Sequence, residues 1–102
     1  MTVYMIIEIK ITNKALYAEY VDRVDDIVVQ HGGRYLVRGG EVTPVAGGWS
    51  PERMIIIEFP SREMLNGCFN SRVYKALAPL REQSTIGKAI IVDGVDYSAM
   101  RG

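Results

Sequence analysis

The sequence predicts an α+β fold in which a four-stranded antiparallel sheet carries its helices on one face. Three observations predict it. Apolar residues alternate with mixed ones at the start of the chain, the period of a strand with one buried face. A long stretch after Asn13 then repeats its apolar residues every three or four positions, as an amphipathic helix does. Two further apolar runs separated by turn glycines, a second helical stretch and a last apolar run complete the order βαββαβ.

The first strand rests on Val3, Met5, Ile7, Ile9 and Ile11 at odd positions against Tyr4, Ile6, Glu8 and Lys10 at even ones. Asn13 has the short polar side chain that caps a helix, and Leu16, Tyr17, Tyr20, Val21, Val24, Ile27, Val28 and His31 form the apolar stripe that follows. Gly32-Gly33 ends that helix, since glycine tolerates the positive φ of a helix C-terminus. Residues 34–38 read as the second strand, with 41–45 continuing it past a bulge at Gly39-Gly40 and Gly47-Gly48 as the turn. Residues 53–59 make the third strand, and Pro60 stops its ladder.

Ser61 is placed to cap a second helix with Met64, Leu65, Cys68 and Phe69 on one stripe. The pattern breaks near Asn70-Ser71. Ser71 caps a further helix through Tyr74, Leu77, Ala78 and Leu80 or Arg81, with Pro79 expected to kink its last turn. Residues 88–93 supply the fourth strand and Gly94 ends it. Two interleaved right-handed βαβ crossovers then give a ferredoxin-like sheet of order 4132. The face carrying Tyr4, Ile6, Leu36, Met54 and Ile56 is left bare and is too apolar for water, so two copies are expected to pair sheet on sheet as a homodimer.

At 102 residues, 48% hydrophobic and 24% charged, the chain reads as one domain, 1–102, with its core in 3–94 and a polar tail over 95–102. Twelve basic residues balance twelve acidic ones, so no field gathers phosphates, and nucleic acid is not an expected partner. No apolar run is long enough to span a bilayer and no signal peptide is visible, which points to the cytoplasm and away from membranes. One cysteine and one histidine supply neither a disulfide nor a Cys/His zinc site, so no metal and no cofactor are expected.

The run Gly32-Gly33-Arg34-Tyr35-Leu36-Val37-Arg38-Gly39-Gly40, together with Trp49-Ser50-Pro51-Glu52-Arg53, Ile57-Glu58-Phe59-Pro60-Ser61, and Asn70-Ser71 with Tyr74, closely resembles an uncharacterised bacterial family, domain of unknown function number thirteen-thirty. The resemblance spans residues 3–94. It implies a ferredoxin-like subunit paired into a dimeric α/β barrel, and no known reaction. The wider superfamily includes cofactor-independent monooxygenases, lactone isomerases, haem proteins and stress-response proteins, so membership selects no chemistry. Cys68 stands where the family pattern often has an aromatic residue, and Arg72 where proline often follows the serine.

Three residues are candidates for catalysis. Arg38 shares strand parity with Glu58 across the hairpin, so the two are expected to face each other at the barrel mouth, where a guanidinium fork and a carboxylate base could handle a carboxylate or carbonyl substrate. The alternative is a cross-strand ion pair that holds the sheet together. His31, the single histidine and so the chain's one imidazole general base, is the third candidate, against the alternative of a helix C-terminal partner or a partly buried core residue.

Tyr4, Tyr35, Trp49, Asn70, Ser71 and Tyr74 are candidate ligand contacts, each with a packing or capping role as its alternative. Cys68 on an apolar stripe reads as core. The functional expectation is a barrel cleft that binds a small, partly apolar and carboxylate-bearing molecule, as a cofactor-independent oxygenase or isomerase. The alternative is a non-catalytic dimeric binding or stress-associated module.

Overall fold

A computed structural model describes residues 1–96, and places β1 (Val3–Ile11) between two antiparallel neighbours. On one side lies β3 (Arg53–Phe59), which carries β2 (Arg34–Arg38) at the sheet edge; on the other lies β4 (Thr85–Asp93). The sheet order β2-β3-β1-β4 is the expected 4132 read from the opposite edge. Helix α1 (Lys14–Gln30) connects β1 to β2, and α2 (Arg62–Phe69) and α3 (Arg72–Ser84) connect β3 to β4. The shortest dimension is 17 Å, room for one sheet and one layer of helices and nothing on the far side of the sheet.

Each helix begins where a short polar side chain takes an orphan backbone donor. The Leu16 N–H donates to Asn13 Oδ1, the Met64 N–H to Ser61 Oγ and the Tyr74 N–H to Ser71 Oγ, each at 3.1 Å. Helix α1 ends at Gly32, whose φ of 76° only glycine adopts without strain. The adjoining Gly33 has a different reason to be glycine: a Cβ there would lie 2.7 Å from Val28 Cγ1 and 2.8 Å from the Phe59 ring. Helix α3 continues through Pro79 to Ser84, where the Ser84 and Thr85 hydroxyls donate to the Leu80 and Arg81 carbonyls at 2.6 and 2.8 Å.

The core lies on one face of the sheet. Val3, Ile9, Ile55, Ile57 and Phe59 meet Tyr17, Tyr20, Val24, Ile27 and Val28 of α1, with Leu65, Cys68, Tyr74 and Leu77 from the later helices. These are the odd positions of β1 and β3, as their alternation requires.

Three local expectations are corrected. Residues 41–45 do not extend β2, because Gly39 at φ 70° turns the chain away after its N–H donates to the Met54 carbonyl at 2.9 Å. The bulge falls inside β2, between Tyr35 and Val37, and not at Gly39-Gly40. Strand β4 begins at Thr85 and not at residue 88, because α3 runs into it without a loop and Ile86 and Gly87 already pair with Lys10 and Ile9. The tail expected over 95–102 lies outside the described residues except for Val95 and Asp96.

Candidate functional site

The bulge decides where the arginines of β2 go. Arg34 pairs with Glu58 and Tyr35 with Ile57, but Leu36 is an extra residue, so Val37 takes the position opposite Ile56 and Arg38 the one opposite Ile55. A single inserted residue reverses the side-chain parity of everything after it. Arg38 therefore faces the helices, and the expected meeting of Arg38 with Glu58 is corrected. Glu58 stays on the open face and accepts from Arg34 Nε at 2.8 Å. Arg38 instead donates both terminal nitrogens to the Asp25 carboxylate of α1, at 2.6 and 2.9 Å, and lies 4.3 Å from the centre of the Tyr35 ring. That hydrogen-bonded carboxylate raises the pKa of the guanidinium further, fixing its charge.

Between the sheet and helices α1 and α3 is a cavity of about 540 Å³. Met5, Ile7, Ile9, Ile55 and Ile57 form an apolar floor; Tyr17, Tyr20, Val21 and Val24 from α1, Phe69 from α2, and Tyr74, Arg81 and Glu82 from α3 form the walls. Tyr35 and Arg38 close one side, and Thr85, Gly87 and Ala89 of β4 the other. A Cβ on Gly87 would collide with the Glu8 carbonyl, so β4 can approach β1 this closely only with glycine there.

The polar groups of this cavity are few and aimed inward. The Tyr20 and Tyr74 hydroxyls share a hydrogen bond of 3.0 Å in buried surroundings. Burial, and then the neighbouring Tyr74, push the Tyr20 pKa well above the usual phenol range, and burial does the same for Tyr35. Both are neutral hydroxyls at physiological pH. Arg81 stands beside this pair with its Nε buried and without a hydrogen-bond partner. Its terminal nitrogen is 3.7 Å from the exposed Glu82 carboxylate, too far for a hydrogen bond.

Of the nine residues singled out in the sequence, the cavity gathers Tyr35, Arg38 and Tyr74. His31 caps α1, its Nδ1 2.8 Å from the Ile27 carbonyl, and does not line the cavity. Asn70 caps the end of α2, and Ser71 donates to the Cys68 carbonyl at 2.7 Å while capping α3. Tyr4 and Glu58 lie on the open face of the sheet. Trp49 is 59% exposed and donates its indole N–H to Glu8 at 2.6 Å, over a separate shallow hollow lined by Lys10, Ile86 and Lys88. Cys68 is fully buried, and burial pushes its thiol up to about 11.

Sequence reasoning did not assign Asp25, Tyr17 and Tyr20 to a site. Tyr17 and Tyr20 carry hydroxyls on a stripe that is otherwise aliphatic as far as His31, and Asp25 directly follows Val24 of that stripe. Among the described residues no group of three or more His, Cys, Asp or Glu side chains could hold a metal ion, and no helix is long and apolar enough to cross a membrane.

The model of a family described as a domain of unknown function, DUF1330, matches residues 2–95. In sequence, no curated protein matches the chain. A protein of unknown function from Rhodopseudomonas palustris superposes with a TM-score of 0.78 at 15% identity, over 93% of this chain and 83% of that one. SnoaB, a cofactor-independent oxygenase from Streptomyces nogalater, superposes with a TM-score of 0.66 at 8% identity, over 93% and 94% of the two chains. A de novo designed protein, Foldit4, does so with a TM-score of 0.60 at 11% identity, over 93% and 100%. At these identities the likeness is one of fold alone, and fold alone selects no activity.

Proposed function

This chain belongs to the DUF1330 family, and we propose that it binds a small, largely apolar molecule bearing a carboxylate in the cavity between α1, α3 and the sheet. The observation that carries this reading is the cavity itself. Its volume of about 540 Å³ is that of a small-molecule site, and an aliphatic floor with a few convergent polar groups is how such sites are built. A lone buried thiol suits a cytoplasmic setting for this role. The test is a fragment screen of aromatic carboxylates followed by methyl NMR. Binders are expected to shift Ile7 and Ile55, and to lose binding when Val21→Trp fills the space. A screen in which no fragment perturbs those methyls would sink the reading.

Two copies pair through the open sheet face. Ile6, Val37, Met54, Ile56 and Ile90 form an apolar stripe there, flanked by Arg34 with Glu58 and by Lys88 with Glu8. A two-fold axis makes every contact reciprocal, so margins that carry both signs can meet without setting one net charge against itself. Light scattering is expected to give twice the chain mass at micromolar concentration; a monomer there would remove the dimer.

A second reading, a cofactor-independent oxygenase or isomerase, is favoured by the Tyr20 and Tyr74 hydroxyl pair, which can donate to a substrate oxygen at the same cavity. The description of SnoaB as a cofactor-independent oxygenase supplies the reaction class to try. Oxygen uptake with hydroxynaphthoates no faster than that of the Val21→Trp variant would leave binding as the function.

A further inference from the structure

We infer that Arg81, and not Arg38, is the residue that reads the anionic group of the ligand, and that this group is a monoanionic carboxylate on a flat apolar body. The inference rests on the cavity being the ligand site and assigns the chemistry within it.

Two guanidinium groups line the cavity, and they differ in what they have left to give. Arg38 already spends both terminal nitrogens on Asp25 at 2.6 and 2.9 Å and holds its Cζ 4.3 Å from the centre of the Tyr35 ring. A carboxylate ligand at Arg38 would have to displace a covalently tethered one of the same chemistry. Arg81 has no such partner. Its Nε is buried and makes no hydrogen bond, and its terminal nitrogen is only within 3.7 Å of Glu82, whose carboxylate is 65% exposed and solvated. A buried donor on a charged group is costly to leave unmade, and an oxygen anion in the cavity is the partner that satisfies it.

The surroundings set the class of anion. Arg81 lies in the last turn of α3, its side chain 42% exposed but its Nε shielded from water. Nearby, the Tyr20 and Tyr74 hydroxyls are neutral and share one hydrogen bond, which leaves a phenolic proton to reach a ligand oxygen. One guanidinium, loosely paired at 3.7 Å with the exposed Glu82, and neutral hydroxyls match at most a single negative charge, whereas a phosphate dianion would enter an aliphatic pocket half-compensated. The isoleucines of the floor then take the ligand's apolar body.

The experiment is calorimetry and methyl NMR with 2-naphthoate and its neutral amide, 2-naphthamide. The wild-type protein is expected to bind naphthoate about tenfold or more tighter than the amide. Arg81→Met is expected to abolish that preference by weakening naphthoate more than the amide, Arg81→Lys to restore part of it, and Arg38→Met to keep the preference while weakening both probes or neither. Arg81→Gln replaces the Met variant if the latter does not fold. Equal binding of both probes by the wild-type protein, with cavity methyls shifting, would overturn the role of the anion while leaving the cavity as the site. Loss of the preference in Arg38→Met but not in the Arg81 variants would hand the role to Arg38. If neither probe shifts a cavity methyl, the cavity reading itself falls and takes this inference with it.

Discussion

On the helix-covered face of the sheet, Val3, Ile9, Ile55, Ile57 and Phe59 are none of them more than 7% exposed, while on the opposite face Val37, Ile86, Ile90 and Val92 are between 37% and 68% exposed. The first set comes from the inner strands β1 and β3, and the second from the edge strands β2 and β4. On the covered face aromatic rings meet edge to face, the Tyr20 and Tyr74 hydroxyls pair and Arg38 is tied to a carboxylate, so that the cavity and the Arg81 Nε are what it leaves open. The open face has comparable side chains with nothing against them. The difference teaches that hydrophobicity in this chain answers to two separate partners, the helices of its own chain and, on our proposal, a second copy.

The largest effect should come from the covered face. Phe59 is fully buried, packs edge-on to Phe69 at 5.8 Å and fills the space that Gly33 leaves. Phe59→Ala is expected to cost about 3–5 kcal/mol in urea unfolding. A loss below about 1 kcal/mol would mean that this face collapses around the cavity and is not the rigid half of the comparison.

Ile6 sharpens the comparison from the other side. It pairs with Ile56 and Ile90 in the middle of the open face. Ile6→Glu puts a charge where the second copy would cover it, and is expected to weaken dimerisation by about 3 kcal/mol, seen as a monomer in light scattering. The far-UV spectrum should not change. Unfolding of the monomer itself by this variant would show that the open face is part of the chain's own core.

Much of this contrast was legible in the sequence, and the reason is periodicity. β1 and β3 alternate without interruption, so each side chain's face followed from counting, and Asn13, Ser61 and Ser71 marked helix starts because their side chains do one local job. In β2 the bulge between Tyr35 and Val37 breaks the count. The adjacent pair Leu36-Val37 breaks alternation and was a sign of it, but two aliphatic residues in a short strand fit a buried strand equally well. That slip sent Arg38 to the wrong face. Arg81 and Asp25 were hard to read for another reason: their meaning depends on which charges find partners across helices, and no local spacing encodes that.

Cys68 gives an effect of intermediate size, on the covered face and against pH. Burial raises its thiol from 9.0 to about 11 in the folded chain, whereas the unfolded chain ionises near 9.0. Below pH 9 both states hold the proton and nothing is lost. As pH rises from about 9 to about 11, only the unfolded state releases it, so stability falls, by about 2 kcal/mol across that window. Cys68→Ala should unfold with a flatter alkaline slope than the parent, and an identical slope would remove the thiol from the account. Slow labelling by a thiol reagent at pH 8 is expected for the same reason.

The smallest effects come from two ion pairs on one strand, and they test the comparison most directly. Arg38 with Asp25 lies on the covered face, and Arg34 with Glu58 on the open one. Arg38 is 28% exposed and bidentate, so a double-mutant cycle of Arg38→Met with Asp25→Asn is expected to give a coupling of about 1–2 kcal/mol. Arg34 is 71% exposed and makes one bond, so the cycle of Arg34→Met with Glu58→Gln should give about 0.5 kcal/mol or less when measured in the monomeric Ile6→Glu background. In the dimer the second pair loses solvent, and its coupling should rise and become less sensitive to salt. Equal couplings for the two pairs in the monomer would mean that the faces differ in shape but not in solvation. A coupling at Arg34 that ignores the oligomeric state would place the pair outside the interface and shift the proposed contact toward β4, where Ile86 and Ile90 remain exposed.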